Sequence, residues 1–216
     1  MRHPHGLRAA AAAGLPAIGA AYEGGFFAGA ISHTANGVAT HLLIVAPKAT
    51  GATGTGYTLT TNKQWKTTNT TTAGTTSTYD GAANSANMNN ASHPAAEFCE
   101  TLSIGGYTDW YLPARYELDI AYQNLKPTTA SNSTSWGVNV YSVPARASNR
   151  TAGAPAQTSV AAFQSGGAEA FVAGDHWSST QDSSTNAWTL FFANGSQTSN
   201  TKNVSTRVRA FRKLAL

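Results

Sequence analysis

Ten carboxylates and six histidines are the groups with which this chain could run acid–base or metal chemistry. Asp109, Arg115, Glu117 and Asp119 crowd around the run Asp109-Trp110-Tyr111-Leu112-Pro113. A structural role is expected for this cluster: Asp109 or Arg115 fixes a turn through hydrogen bonds, while Trp110 and Leu112 enter the core. Glycoside cleavage needs two carboxyl groups held about 5–10 Å apart. Asp175 and Asp182, flanking Trp177, are the only such candidates near the polar C-terminal segment. His3, His5, His33, His41, His93 and His176 never fall into the His-x-x-x-His spacing of a helical zinc site. No Asp/Glu cluster supplies the oxygen shell that calcium prefers. Cys99 stands alone, so an internal disulfide and a paired-thiolate metal site are both excluded. Its apolar helical context suits a buried, inert thiol. The chain is therefore expected not to be an enzyme, with no catalytic residue, no metal and no cofactor.

What the residues do offer is hydrogen bonding without charge. From Trp177 to Thr206, 19 of 30 residues are Ser, Thr, Asn or Gln, and only Asp182 and Lys202 are charged. Such side chains donate and accept hydrogen bonds without the desolvation cost of an ion. Around Trp188, Leu190 and Phe192 large apolar residues alternate with polar ones, the period of a half-buried strand. Trp177 and Trp188 are expected to be core pillars. Phe191, out of phase with its neighbours, is expected to point outward with Thr189 as an exposed anchor. The predicted ligand-binding residues are Asp182, Ser184 and Asn186 in one loop and Thr189 and Phe191 on the strand. Asn194, Ser196, Gln197, Thr198, Asn200 and Asn203 in the following stretch complete the set. Small polar side chains around an aromatic anchor are also how paratopes are built.

The elements that must position these groups can be read in order. Residues 1–21 form an Ala/Gly-rich leader or attachment segment, with a short helix over residues 7–13, and residues 22–216 form the ligand-binding domain. Phe26–Ser32 and Val38–Pro47 flank Thr34-Ala35-Asn36-Gly37, a hairpin signal in which Asn-Gly supplies two residues tolerant of positive φ. Leu42 to Val45 is a continuous apolar run, so that strand is expected to be central and covered on both faces. Residues 48–92 are Thr-, Asn- and Gly-rich, a long loop or short strands anchored by Tyr57, Trp65 and Tyr79, with a turn at Tyr79-Asp80-Gly81. One helix is predicted from Pro94 to Leu102, capped by Ser92. A second is predicted from Ala114 to Leu125, where Leu118, Ala121, Tyr122 and Leu125 share a face. Trp136 and Tyr141 are the anchors of the polar stretch 128–160.

Charged residues make up 11% of the chain against a usual quarter, yet the aromatics are numerous enough for a core, which argues against disorder. The net charge of +4 comes largely from groups near the two ends. Nucleic-acid binding would want a clustered basic patch interleaved with stacking aromatics. The run Arg207–Lys213 is the nearest approach to one, and nucleic acid is not an expected partner. No stretch is long and apolar enough for a membrane span.

Gly105-Gly106-Tyr107-Thr108-Asp109-Trp110-Tyr111-Leu112-Pro113-Ala114-Arg115-Tyr116-Glu117-Leu118, taken with Trp177-Ser178-Ser179-Thr180, Asn186-Ala187-Trp188, Phe192, Gly195 and Val208-Arg209, resembles the Lcl C-terminal domain family. That family is found in phage tail proteins and bacterial surface proteins, and is similar to the C-type lectin fold. The resemblance covers roughly residues 22–213. It implies an α+β fold with small twisted antiparallel sheets flanked by two helices, long irregular loops, and paired N- and C-terminal strands, here Leu42–Ala46 with Val208–Phe211. Relatives include variable receptor-binding proteins of diversity-generating retroelements and phage fibre tips. The Glu-Pro-Asn and Trp-Asn-Asp motifs of calcium-dependent lectins are absent, and so is the cysteine pair of formylglycine-generating enzymes.

The function expected from these readings is that of a phage tail-fibre or tail-tip receptor-binding protein, carried on the virion or alternatively on a bacterial cell surface. Its partners would be a bacterial cell-surface receptor, glycan or protein, and other tail-fibre subunits, in a homotrimer. A structural fibre decoration or assembly subunit and a glycan depolymerase using Asp175 and Asp182 are the alternatives.

Overall fold

A computed structural model describes residues 14–216. The helix expected over residues 7–13, His3 and His5 lie outside the described residues. In chain order the strands are β1 (Ala21–Tyr22), β2 (Gly25–Ile31), β3 (His41–Val45), β4 (Ala52–Thr53), β5 (Lys63–Gln64), β6 (Ser142–Val143), β7 (Asp175–Gln181), β8 (Asn186–Phe191), β9 (Ser196–Thr201), β10 (Ser205–Thr206), β11 (Val208–Arg209) and β12 (Phe211–Ala215). The helices are α1 (Lys48–Gly51), α2 (Gly81–Ala86), α3 (Pro94–Glu100) and α4 (Arg115–Leu125). The architecture is α+β, with several small antiparallel sheets and two main helices, α3 and α4.

The principal sheet runs β1-β2-β3-β12, with β6 also pairing to β2. β3 lies in its middle, as its unbroken apolar run predicts, and Leu42, Leu43, Ile44 and Val45 are all buried. Because successive strand residues face opposite ways, this strand feeds two cores. Leu42 and Ile44 join Trp65, Trp110, Leu112 and Trp177 on one side. Leu43 and Val45 join Leu118, Ile120, Tyr122, Phe192 and Phe211 on the other. Each large apolar side chain so buried contributes roughly 1.5–3 kcal/mol.

N- and C-terminal strands do pair, but in a different register from the expected one. Phe211 lies opposite Val45 and Ala215 opposite His41. Val208 and Arg209 pair instead with Thr53 and Ala52. The apolar phase of Val208-Arg209-Ala210-Phe211 fits either pairing; the buried Arg209 decides it. Its guanidinium donates to the Ala46 carbonyl and pairs with Glu169 at 2.9 Å.

The turn between β2 and β3 is wider than a two-residue hairpin. Positive φ falls on Ala35 and Gly37 rather than on Asn36. Asn36 uses its Oδ1 to accept from Val38 N and from Ser32 Oγ, both at 3.0 Å, an Asx-type turn. The start of α3 also shifts: His93, not Ser92, is the N-cap, with Pro94 in the first turn. Asp80, expected in a simple turn, caps α2 by accepting from Ala83 N. In α4 the Glu117 carboxylate turns back to accept from Ala114 N at 2.7 Å, and also from Tyr111 Oη and Gly81 N. Burial pushes the Glu117 carboxyl up to about 7.

Candidate functional site

β7, β8 and β9 form a separate antiparallel sheet in which β8 is central. Its register sorts side chains onto two faces. Asn186 with Thr201, Trp188 with Ser199, and Leu190 with Gln197 lie on one face. Ala187 with Asn200, Thr189 with Thr198, and Phe191 with Ser196 lie on the other. The sequence-predicted residues therefore do not form one surface.

On the second face Thr189 shares the side of Phe191, as expected, but it is not outward. It is 1% exposed, its Oγ1 lying 3.1 Å from Thr198 Oγ1 and accepting from Asn200 Nδ2 at 3.0 Å. The sheet covers it because Trp177, opposite it on β7, is fully buried and sends its indole N–H to the Lys63 carbonyl. Phe191 is half-buried, while Thr198 is exposed and Ser196 and Asn200 half-exposed. Asn194 sits in the β8–β9 turn, its Oδ1 accepting from Ser196 N. Asn203 lies past the other end of β9 with its backbone N–H held by Asn69 Oδ1.

The carboxylates proposed for glycan cleavage are kept apart. Asp175 opens β7 opposite Phe191, and Asp182 follows its last residue with its N–H on the Asn186 carbonyl, so their backbones stand five β8 residues apart, about 16 Å at 3.3 Å per residue. That is too far for either a retaining or an inverting pair.

The first face was misread from sequence in two ways. Gln197, expected to meet ligand, is 2% exposed. Its amide donates to Asp119 Oδ1 at 3.0 Å and its carbonyl accepts from Arg115 Nε. Trp188, expected as a core pillar, is only half-buried. The Arg115 guanidinium lies 3.8 Å from the Trp188 ring centre and 5.2 Å from that of Trp136, and the two indoles meet edge to face at 6.0 Å. Trp136 and Tyr141, expected as anchors of their polar stretch, are both partly buried. Tyr116 continues the platform, 5.5 Å from the same guanidinium, and leads to Tyr141 and then to Tyr79, stacked on it at 4.3 Å.

Arg115 itself is neither a turn-former nor a salt-bridge partner. Among the described residues its terminal nitrogens have no hydrogen-bond partner, and neither is sealed from solvent. Burial lowers its proton affinity, offset by the fields of Tyr116 and Asp182.

This face stands on a rigid base. The Asp119 carboxylate, wholly buried on α4, accepts from Arg146, Arg150, Asn139 and Gln197, tying α4 to the Trp136 loop and to β9. The loop carrying Asp182 and Ser184, both exposed, is held by Lys202. Its buried ammonium donates to Ser184 O, Thr70 O and Gln181 Oε1, and burial lowers its pKa to about 8. Asn186 Nδ2 reaches Ser199 Oγ at 3.4 Å beside Trp188. The face is thus a fixed aromatic platform with one free guanidinium and a border of uncharged donors and acceptors.

Among the described residues, no three His, Cys, Asp or Glu side chains gather as metal ligands, and no helix is long and apolar enough to cross a membrane. The C-terminal arginines do not make a free basic patch: Arg209 pairs with Glu169, and Arg212 with Asp109 and Glu23. Neither the comparison with protein-family models nor that with curated proteins finds a match for this chain.

Proposed function

We propose that this protein is a receptor-binding adhesin whose domain has a C-type-lectin-like fold of the Lcl C-terminal kind. It would sit at a phage tail fibre or tail tip, or on a bacterial surface, as a homotrimer joined to other fibre subunits. Its receptor would be a glycan or protein of a bacterial envelope. The fold reading is supported by the pairing of β3 with β12, the two main helices, the small antiparallel sheets and the long ordered loops between them. The functional reading is carried by a single observation: Trp136 and Trp188 are left partly exposed although the surrounding frame is fixed by buried ion pairs. Half-exposed tryptophan on a stiff support is the composition of a binding hot spot.

Flow cytometry of fluorescently labelled protein on a panel of intact bacteria tests the proposal. Wild-type protein is expected to label a subset of strains, and Trp136→Ala/Trp188→Ala is expected to lose that labelling with its circular dichroism unchanged. A fibre-decoration subunit would label no strain, and labelling that survives the double variant would place the receptor contact elsewhere.

A further inference from the structure

The Arg115 platform has a chemistry more specific than adhesion. One guanidinium lies against two indoles and a phenol, with Nε already committed to Gln197. That commitment orients the group and leaves NH1 and NH2 without a partner among the described residues, neither of them sealed from solvent, as a two-pronged donor. Such a fork matches the two oxygens of a carboxylate bidentately. The pyranose ring of a sugar presents C–H groups that pack on aromatic side chains, and Trp136, Trp188 and Tyr116, all partly exposed around the guanidinium, are the aromatic groups available here. Asn186 and Ser199 supply uncharged partners for hydroxyls at the border.

From this juxtaposition we propose that the platform binds a sugar carrying a single carboxylate, a uronate or related acidic residue within a polysaccharide. Its ring stacks on the indoles and its carboxylate is seated on Arg115. The proposal rests on the receptor-binding reading and names the class of receptor. Densely sulfated or phosphorylated polymers fit less well. Among the described residues only one unpaired cation stands at the platform, which matches a single negative charge and not a dense array of them.

Titration of intrinsic tryptophan fluorescence with trigalacturonate, and with the uncharged galactose trisaccharide, tests this on the full chain. Trigalacturonate is expected to bind at millimolar Kd or tighter, with the neutral trisaccharide at least roughly tenfold weaker. Arg115→Lys keeps the charge but not the fork and is expected to weaken binding roughly tenfold. Trp188→Ala is expected to abolish it while melting behaviour confirms the fold. Equal binding of the two trisaccharides overturns the proposal, and so does displacement by polyglutamate as effective as by free galacturonate, which would assign the site to acidic peptides. If trigalacturonate, glucuronate and N-acetylneuraminate all fail to bind while cell labelling still depends on Trp136 and Trp188, the acidic-sugar inference falls and the adhesin reading stands.

Discussion

Replacing Asp119 with Ala should be the most damaging single change available at the base of the site. The carboxylate is fully buried and holds the guanidinium groups of Arg146 and Arg150, whose side chains are 19% and 1% exposed. Removing it leaves two largely buried cations facing each other without a counter-charge, and strips Asn139 and Gln197 of their acceptor. Breaking a buried ion pair from one side costs about 3–5 kcal/mol. For a chain of this size that corresponds to a fall in Tm of roughly 6–20 °C. Urea denaturation followed by circular dichroism at pH 7, with a parallel thermal melt, measures it directly. Because the cost comes from stranded charge rather than from lost attraction, Asp119→Leu/Arg150→Met should recover a substantial part of the loss. A deficit for Asp119→Ala below about 1 kcal/mol, the range of a surface pair, would refute the assignment of Asp119 as the joint of the frame.

Other perturbations follow from the same geometry. Gly195 has φ +73, and a Cβ there would collide with the Tyr122 ring; Gly195→Ala should cost roughly 2–4 kcal/mol in urea titrations. Gly106 has φ +84 but open space around it, so Gly106→Ala should cost only about 1–2 kcal/mol. His176 is fully buried between Tyr57 Oη and the Gly174 carbonyl, and desolvation lowers its pKa from 6.5 to about 3. In the unfolded chain it takes up a proton near pH 6.5 while the folded form stays neutral, so stability falls as pH drops through that window, by roughly 3 kcal/mol between pH 6.5 and 4. Glu117 acts in the opposite sense: its raised pKa means that stability falls as pH rises from the unfolded carboxyl value toward about 7. Denaturant midpoints across pH 4–7.5 should therefore show a steeper acid loss in Glu117→Gln than in wild type. Cys99 is buried, and desolvation holds its thiol well above the ordinary value; Ellman's reagent should leave it untouched in native protein and titrate it on unfolding.

The residue pattern disclosed the frame better than the face. The apolar run of Leu42 to Val45 allowed only a doubly covered strand, and the spacing of Leu118, Ala121, Tyr122 and Leu125 allowed only α4. Both follow from periodicity, which local sequence carries. Register across the chain does not: Val208 to Phe211 is apolar enough to pair in more than one alignment, and the buried Arg209–Glu169 pair that chooses between them joins residues far apart in sequence. The same limit hid the site. Alternation correctly put Trp188 in phase with Leu190 and Thr189 in phase with Phe191. It could not say that the covered part of the sheet ends between Leu190 and Trp188, or that Trp177 closes over Thr189. Gln197 looked like one more polar loop residue because its partners, Asp119 and Arg115, lie on a helix some eighty residues earlier. No local signal separates Trp136 from Trp65, which lies in an equally polar Thr/Asn-rich stretch and is nevertheless fully buried.

Hydroxyl-radical footprinting of the protein bound to a strain it labels is the most direct test of the central claim. The account predicts that oxidation of Trp136, Trp188 and Tyr116 falls several-fold on binding, while Tyr22, on the far sheet, reacts as before. Unchanged oxidation of Trp136 and Trp188 in protein shown to be cell-bound would contradict it.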